Sequence, residues 1–204
     1  MKLNAKSLLM LAMLLAASFP ALADDFPYPT PGTSAPTSTI TAMATAHVIG
    51  YFAGSSASDT DFISMCDVTT PFCSSFTFNN QTTAVGTSFD FGAVTAGDIL
   101  RFDLSNTTTG QLLSSAPGVS ADGINHAYFT HYSNTGAPNL GGGIPAGIFV
   151  GMEDRPFGSS DLDYNDAQFV FTNVATAVPE PSSVLLLSTV LWLARRTAKR
   201  KYFT

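Results

Sequence analysis

Five carboxylates crowd into fourteen consecutive positions: Glu153, Asp154, Asp161, Asp163 and Asp166. Asn165 adds an amide oxygen, and Arg155 is the only cation close to them in sequence. Carboxylates at this density repel one another at neutral pH, so water or a hard cation must compensate them. Ca²⁺ takes about six to eight oxygen ligands from carboxylates, amides and carbonyls, which makes these six residues a candidate ligand set. Asp161-x-Asp163-x-Asn165 sends alternate oxygens toward one centre, as Ca²⁺ loops do. The segment is not an EF-hand: its sixth position is Asp166 where that loop needs Gly, and its twelfth is Thr172 where it needs Glu. A solvated acidic loop, braced by Asp and Asn side chains in its own turns, is the alternative.

Catalysis finds less support. A glycosidase needs two carboxylates roughly 5 to 9.5 Å apart. Glu153 with Asp161 or Asp166 are candidates by type, but spacing along the chain does not fix that distance. There is no Gly-x-Ser-x-Gly and no His-Glu-x-x-His, and the three histidines, His47, His126 and His131, are scattered. The expectation is a non-enzymatic protein. A carbohydrate-binding module is the alternative, with Tyr128 and Tyr132 on one strand face as a sugar surface. The single Trp, Trp192, lies far outside that region.

The elements that must position these residues read as strands. Leu100, Phe102 and Leu104 alternate with Ile99, Arg101 and Asp103, a period of two. Tyr128, Thr130 and Tyr132 do the same, as do Phe169 and Phe171, while Ile148-Phe149-Val150 is apolar throughout. Val94 to Asp98 reads as a turn feeding the strand that starts at Ile99. No central window carries a capped helical period. Eight or nine short strands over residues 41–177 predict an all-β domain, a β-sandwich or jelly roll. Residues 24–40, rich in Pro, Thr and Ser, read as an extended linker.

The rest of the chain bounds where this domain works. Of nine Lys and Arg, only Arg101 and Arg155 lie between Lys6 and Arg195, a stretch that holds all fifteen acids. Such a body excludes nucleic acid, whose phosphates need cations. Lys2 and Lys6, the apolar run Leu8–Ala17 and the small residues of Ala21-Leu22-Ala23 predict a signal peptide over residues 1–23, cut by signal peptidase before Asp24. Cys66 and Cys73 are the only cysteines. In an oxidising compartment they form a disulfide closing a short loop.

At the other end, Val178-Pro179-Glu180-Pro181 precedes an uncharged stretch, Ser182 to Ala194, and the basic run Arg195 to Lys201. The stretch would span roughly 20 Å as a helix, short against a hydrocarbon core of about 30 Å. The basic run stays cytoplasmic by the positive-inside rule. Motif, short apolar helix and basic end, in that order over residues 178–204, resemble the PEP-CTERM sorting signal of Gram-negative bacteria. The resemblance implies an exosortase partner, transient passage through the inner membrane by the C-terminal transmembrane helix, and a place at the cell surface or in a biofilm polysaccharide matrix.

The acidic segment itself resembles a domain of unknown function found in bacterial surface proteins. The matching residues are Glu153-Asp154, Gly158 and Asp161-Leu162-Asp163-Tyr164-Asn165-Asp166, with Asp122-Gly123-Ile124-Asn125-His126 as an upstream element. Met152 stands where that domain commonly has an aromatic, and the gap holds one Gly where several are common. The resemblance spans residues 90–175. It implies Ca²⁺ binding and a surface role, with Asp122 and His126 as possible further ligands. A packed histidine is the alternative for His126.

Overall fold

In the computed structural model, residues 27–135 and 139–176 are described; the expected signal peptide and the expected sorting signal lie outside them. Among the described residues the chain is all-β, with two antiparallel sheets and no helix. In chain order the strands are β1 (Ile40–Ala42), β2 (Ala46–Gly54), β3 (Asp61–Asp67), β4 (Phe72–Cys73), β5 (Ser88–Val94), β6 (Ile99–Asn106), β7 (Gln111–Ser114), β8 (Ala127–Tyr132), β9 (Gly147–Met152), β10 (Ala167–Phe171) and β11 (Val174–Thr176). Eleven strands exceed the expected eight or nine. The additions include β1, β4 and β11, of two or three residues each, too short to show a period.

One sheet runs β11-β1-β6-β3-β4, with β7 also paired to β6; the other runs β5-β2-β10-β9-β8. The period-two residues Leu100, Phe102 and Leu104 of β6 are all buried, while Ile99 at the start of the strand is exposed. They meet the inner face of the second sheet in one core, where the rings of Phe102 and Phe171 lie 4.4 Å apart. Phe52, Phe78 and Phe169 extend the ring cluster. Phe-to-Phe contacts of this kind add roughly 0.5–1.5 kcal/mol each beyond the area they bury.

β9 is apolar throughout, and β10 carries Val170 between Phe169 and Phe171, because both faces of these strands are covered. Val150 and Phe169 point into the core between the sheets, whereas Phe149 and Val170 belong to a second cluster on the outer face. That cluster includes Tyr28 and Ala35 from the Pro-rich segment. The expected extended linker is instead turned at Thr30–Thr33, where the Thr33 amide donates to the Thr30 carbonyl at 3.2 Å, and docked: Tyr28 is buried and its ring stands edge-on to Tyr128 and Tyr164, each at 4.8 Å. Tyr128 and Tyr132, the candidate sugar surface, are consequently buried.

Cys66 and Cys73 face each other across β3 and β4 and form the disulfide. Its short loop is also held by Asp67, whose carboxylate accepts the amides of Thr69 and Thr70 at 2.9 Å. Cross-linking a loop of this kind stabilises the fold by roughly 2–3 kcal/mol.

Candidate metal centre

The acidic segment connects β9 to β10. These neighbours pair as far as Ala167 opposite Met152, so the connection leaves and rejoins the sheet at one point. It folds back on that point: a Cβ on Gly151 would overlap the carbonyl oxygen of Tyr164, which explains glycine there. Pro156 opens a turn whose carbonyl accepts the amides of Ser159 and Ser160 at 2.9 and 3.0 Å.

Beyond the turn, Leu162 and Tyr164 both take left-handed backbone conformations, φ 54° and 56°. Such a conformation costs a non-glycine residue roughly 1–2 kcal/mol. Two interactions offset the cost. Both side chains are buried in the outer-face cluster. Both backbone amides donate to the Glu153 carboxylate, that of Leu162 at 3.3 Å and that of Tyr164 more closely, and the Ser160 hydroxyl joins them. Hydrogen bonds to a charged acceptor are roughly twice as strong as neutral ones. Glu153, fully buried, is therefore the post around which the loop winds.

That winding throws Asp161 and Asp163 to the side opposite Leu162 and Tyr164. Carboxylate oxygens of Glu153, Asp161 and Asp163 come within 4.8 Å of one another. This is the span of two oxygens on opposite sides of a Ca²⁺ ion bound at roughly 2.4 Å. The charges register the crowding. Burial, aided by the Asp166 and Asp161 charges, pushes Glu153 up to about 7 against the pull of its hydrogen bonds. Burial also raises Asp163, with Asp161 adding to it.

The other expected ligands are placed differently. The side-chain amide of Asn165 donates to Asp163, so its NH₂ group, not its oxygen, faces the carboxylates. Asp154 and Asp166 form a second group with two residues the sequence reading did not single out, Asp59 and Asp61. Burial first, then Asp166 and Asp61, pushes Asp154 up to about 8. Burial, Asp166 and Asp59 push Asp61 up to about 7. Burial likewise raises Asp166. The Asp59-Thr60-Asp61 spacing repeats that of Asp161 and Asp163, and it is the signal that marks these two residues in the sequence.

Asp122 and His126 pair with each other, Nε2 lying 3.0 Å from Oδ2. Asp122 also accepts the amide of Phe157 at 3.0 Å. Burial would raise Asp122, but the Phe157 amide, the His126 ring and the Ile124 amide outweigh it and hold the carboxyl below its ordinary value. With the His126 carbonyl accepting the Glu153 amide at 3.0 Å, this pair braces the start of the acidic connection. It does not belong to the Glu153–Asp161–Asp163 group.

A polar cleft of about 340 Å³ opens beside the carboxylates, lined by Ser56, Ser58, Asp154, Ser160, Asp161 and Asp166 among others. Asp161 is the member of the Glu153 group that it reaches, and Arg155 lines it together with Asp154 and Asp166 of the second group. The chain matches no known family model, no curated protein and no solved structure.

Proposed function

We propose that this chain is an exported, non-enzymatic protein of the cell surface or extracellular matrix, a β-sandwich stabilised by Ca²⁺ bound at Glu153, Asp161 and Asp163. The carrying observation is the convergence of those three carboxylates within 4.8 Å on a loop whose Leu162 and Tyr164 take left-handed backbone conformations. A hard, oxygen-preferring cation is the chemistry that such a set fits. Glu153 has the raised pKa of a general acid, but it is fully buried and its oxygens accept the loop's own donors. That favours a structural cation over hydrolysis.

Export is supported by the Cys66–Cys73 disulfide, a bond typical of oxidising compartments. The tripartite N-terminus and the Pro179-Glu180-Pro181 terminus, with its resemblance to exosortase substrates, point the same way. In this reading signal peptidase and an exosortase are the export partners, and extracellular polysaccharide is the surrounding medium.

The test is thermal unfolding of the purified protein in chelator and in millimolar Ca²⁺, with Mg²⁺ and NaCl controls at matched ionic strength. Ca²⁺ at about 100 times its Kd is expected to add roughly 2.7 kcal/mol. Asp163→Ala is expected to lose that gain. Equal melting curves with and without Ca²⁺ would refute the reading.

A further inference from the structure

We propose that the Cys66–Cys73 disulfide is a site of thiol–disulfide exchange: an external dithiol attacks it at the exposed Cys73, and Cys66 leaves as a thiolate beside Arg101.

The two cysteines stand in different surroundings. Cys73 belongs to β4, a two-residue strand at the edge of its sheet, and is exposed, whereas Cys66 in β3 is buried. An attacking thiolate therefore has access to Cys73, and the electron pair of the broken bond falls to Cys66. There the fold supplies a cation. Arg101 lies opposite Cys66 across β6 and β3 and directs its Nη2 at Cys66 Sγ from 3.2 Å. A neighbouring guanidinium stabilises a thiolate, and a sulfur that carries its charge more readily leaves faster. The Asp103 carboxylate is also close, its Oδ2 3.5 Å from the same sulfur. Its charge is answered by Arg101 and by the Ser114 hydroxyl. The bonded sulfur has no proton to give that oxygen, which gains a donor only once the bond has opened and Cys66 is protonated. Charged or protonated, the released sulfur meets a partner already in place.

The loop does not depend on the bond for its closure. The Ser74 amide donates to the Met65 carbonyl at 2.9 Å, the Met65 amide to the Ser74 hydroxyl oxygen at 3.0 Å, and the Ser64 hydroxyl to the Ser74 carbonyl at 3.0 Å. Further along, the Val68 amide donates to the Ile99 carbonyl at 2.8 Å. A disulfide across seven positions also constrains the unfolded chain less than one that closes a long loop. The pairing of β3 with β4 thus keeps Cys66 and Cys73 opposite each other after opening, ready to close again.

The exchange balances. The incoming thiolate bonds to the Cys73 sulfur as the old bond breaks and its electron pair goes to Cys66. The second thiolate of the dithiol then attacks its partner sulfur in that mixed disulfide and releases Cys73. The protein gains two electrons, and the dithiol, oxidised to its own disulfide, loses them.

The test adds dithiothreitol or, separately, reduced glutathione to the folded, oxidised protein without denaturant, and counts free thiols after a maleimide quench. Wild type is expected to open with its circular dichroism unchanged, and mass spectrometry is expected to find glutathione on Cys73. Arg101→Gln is expected to open on the order of tenfold more slowly at the same pH, and Arg101→Lys to recover most of the rate. Ser114→Ala, which loosens Asp103 without removing the cation, is expected to keep the wild-type rate. A bond that opens only in denaturant, glutathione mapped to Cys66, or an Arg101→Gln protein that opens as fast as wild type overturns the proposal. So does a Ser114→Ala protein slowed as much as Arg101→Gln.

Discussion

Two buried aspartates on adjacent strands of one sheet lead opposite lives. β3 and β6 run antiparallel, which puts Asp61 opposite Asn106 and Asp103 opposite Ser64. Asp103 is met by Arg101, two residues along its own strand, at 2.7 to 3.0 Å, and by the Ser114 hydroxyl at 2.6 Å. Asp61 is met by the Asn80 amide at one oxygen, its other oxygen has no hydrogen-bond partner, and around it the Asp166 and Asp59 charges outweigh the charge of Arg155. Burying a charge is therefore no mark of a site in itself. The fold closes one charge with a guanidinium and a hydroxyl and leaves one oxygen of the other buried without a hydrogen-bond partner.

The largest effect expected from this contrast is on pH dependence. Glu153, Asp61 and Asp154 titrate near 7, 7 and 8 in the folded chain. In the unfolded chain such groups titrate near ~4. A raised folded value means that the native state holds protons the unfolded state has released, so stability present below pH ~4 is lost as pH climbs toward 8. In chelator, urea unfolding is expected to show a fall on the order of 4 kcal/mol between about pH 5 and pH 8. Saturating Ca²⁺ is expected to remove the part due to Glu153 and leave the part due to Asp61 and Asp154. A chelated protein as stable at pH 8 as at pH 5 would erase the contrast.

Next in size is Arg101→Ala, which strands Asp103 without its partner. Breaking a buried pair costs roughly 3–5 kcal/mol, and the partial exposure of Arg101 reduces this to about 2 kcal/mol. The loss is expected to be the same in chelator and in Ca²⁺ when read by urea midpoints.

Asp61→Asn is expected to have the opposite sign. In chelator at pH 8 it removes a charge repelled by Asp166 and Asp59, and a gain of about 1 kcal/mol is expected. A loss in chelator would place Asp61 with Asp103 as a satisfied structural group.

The smallest effect concerns the outer face, where no charge is at stake. Tyr164→Phe removes the hydroxyl that accepts the Ala35 amide at 2.7 Å. A loss of about 1 kcal/mol is expected, with faster hydrogen exchange at Ala35 and unchanged Ca²⁺ uptake.

Much of this was readable before folding. The all-β class followed from period-two runs, and the turn before Ile99 from Val94-Thr95-Ala96-Gly97-Asp98. The disulfide followed from two cysteines and an expected oxidising compartment. The loop's alternation was legible too, because Asp161 and Asp163 share a parity that Leu162 and Tyr164 do not. The reach of the site was not legible. Asp61 lies about a hundred positions from Asp161 and shares its end of the molecule only because β3 begins and β9 ends there. Nor did Tyr128 and Tyr132 reveal by type that Tyr28 would cover them.

What the sequence by itself determined is the chemistry available: an excess of carboxylate on a strand-forming chain, with one arginine near it. Local alternation and turn residues act over a few positions, so they carry that much. Only the tertiary structure decided which carboxylates meet and which charge the single arginine answers. Those outcomes depend on strand register and on the sealing of the outer face by residues 27–36, which bring together groups that sequence distance keeps apart.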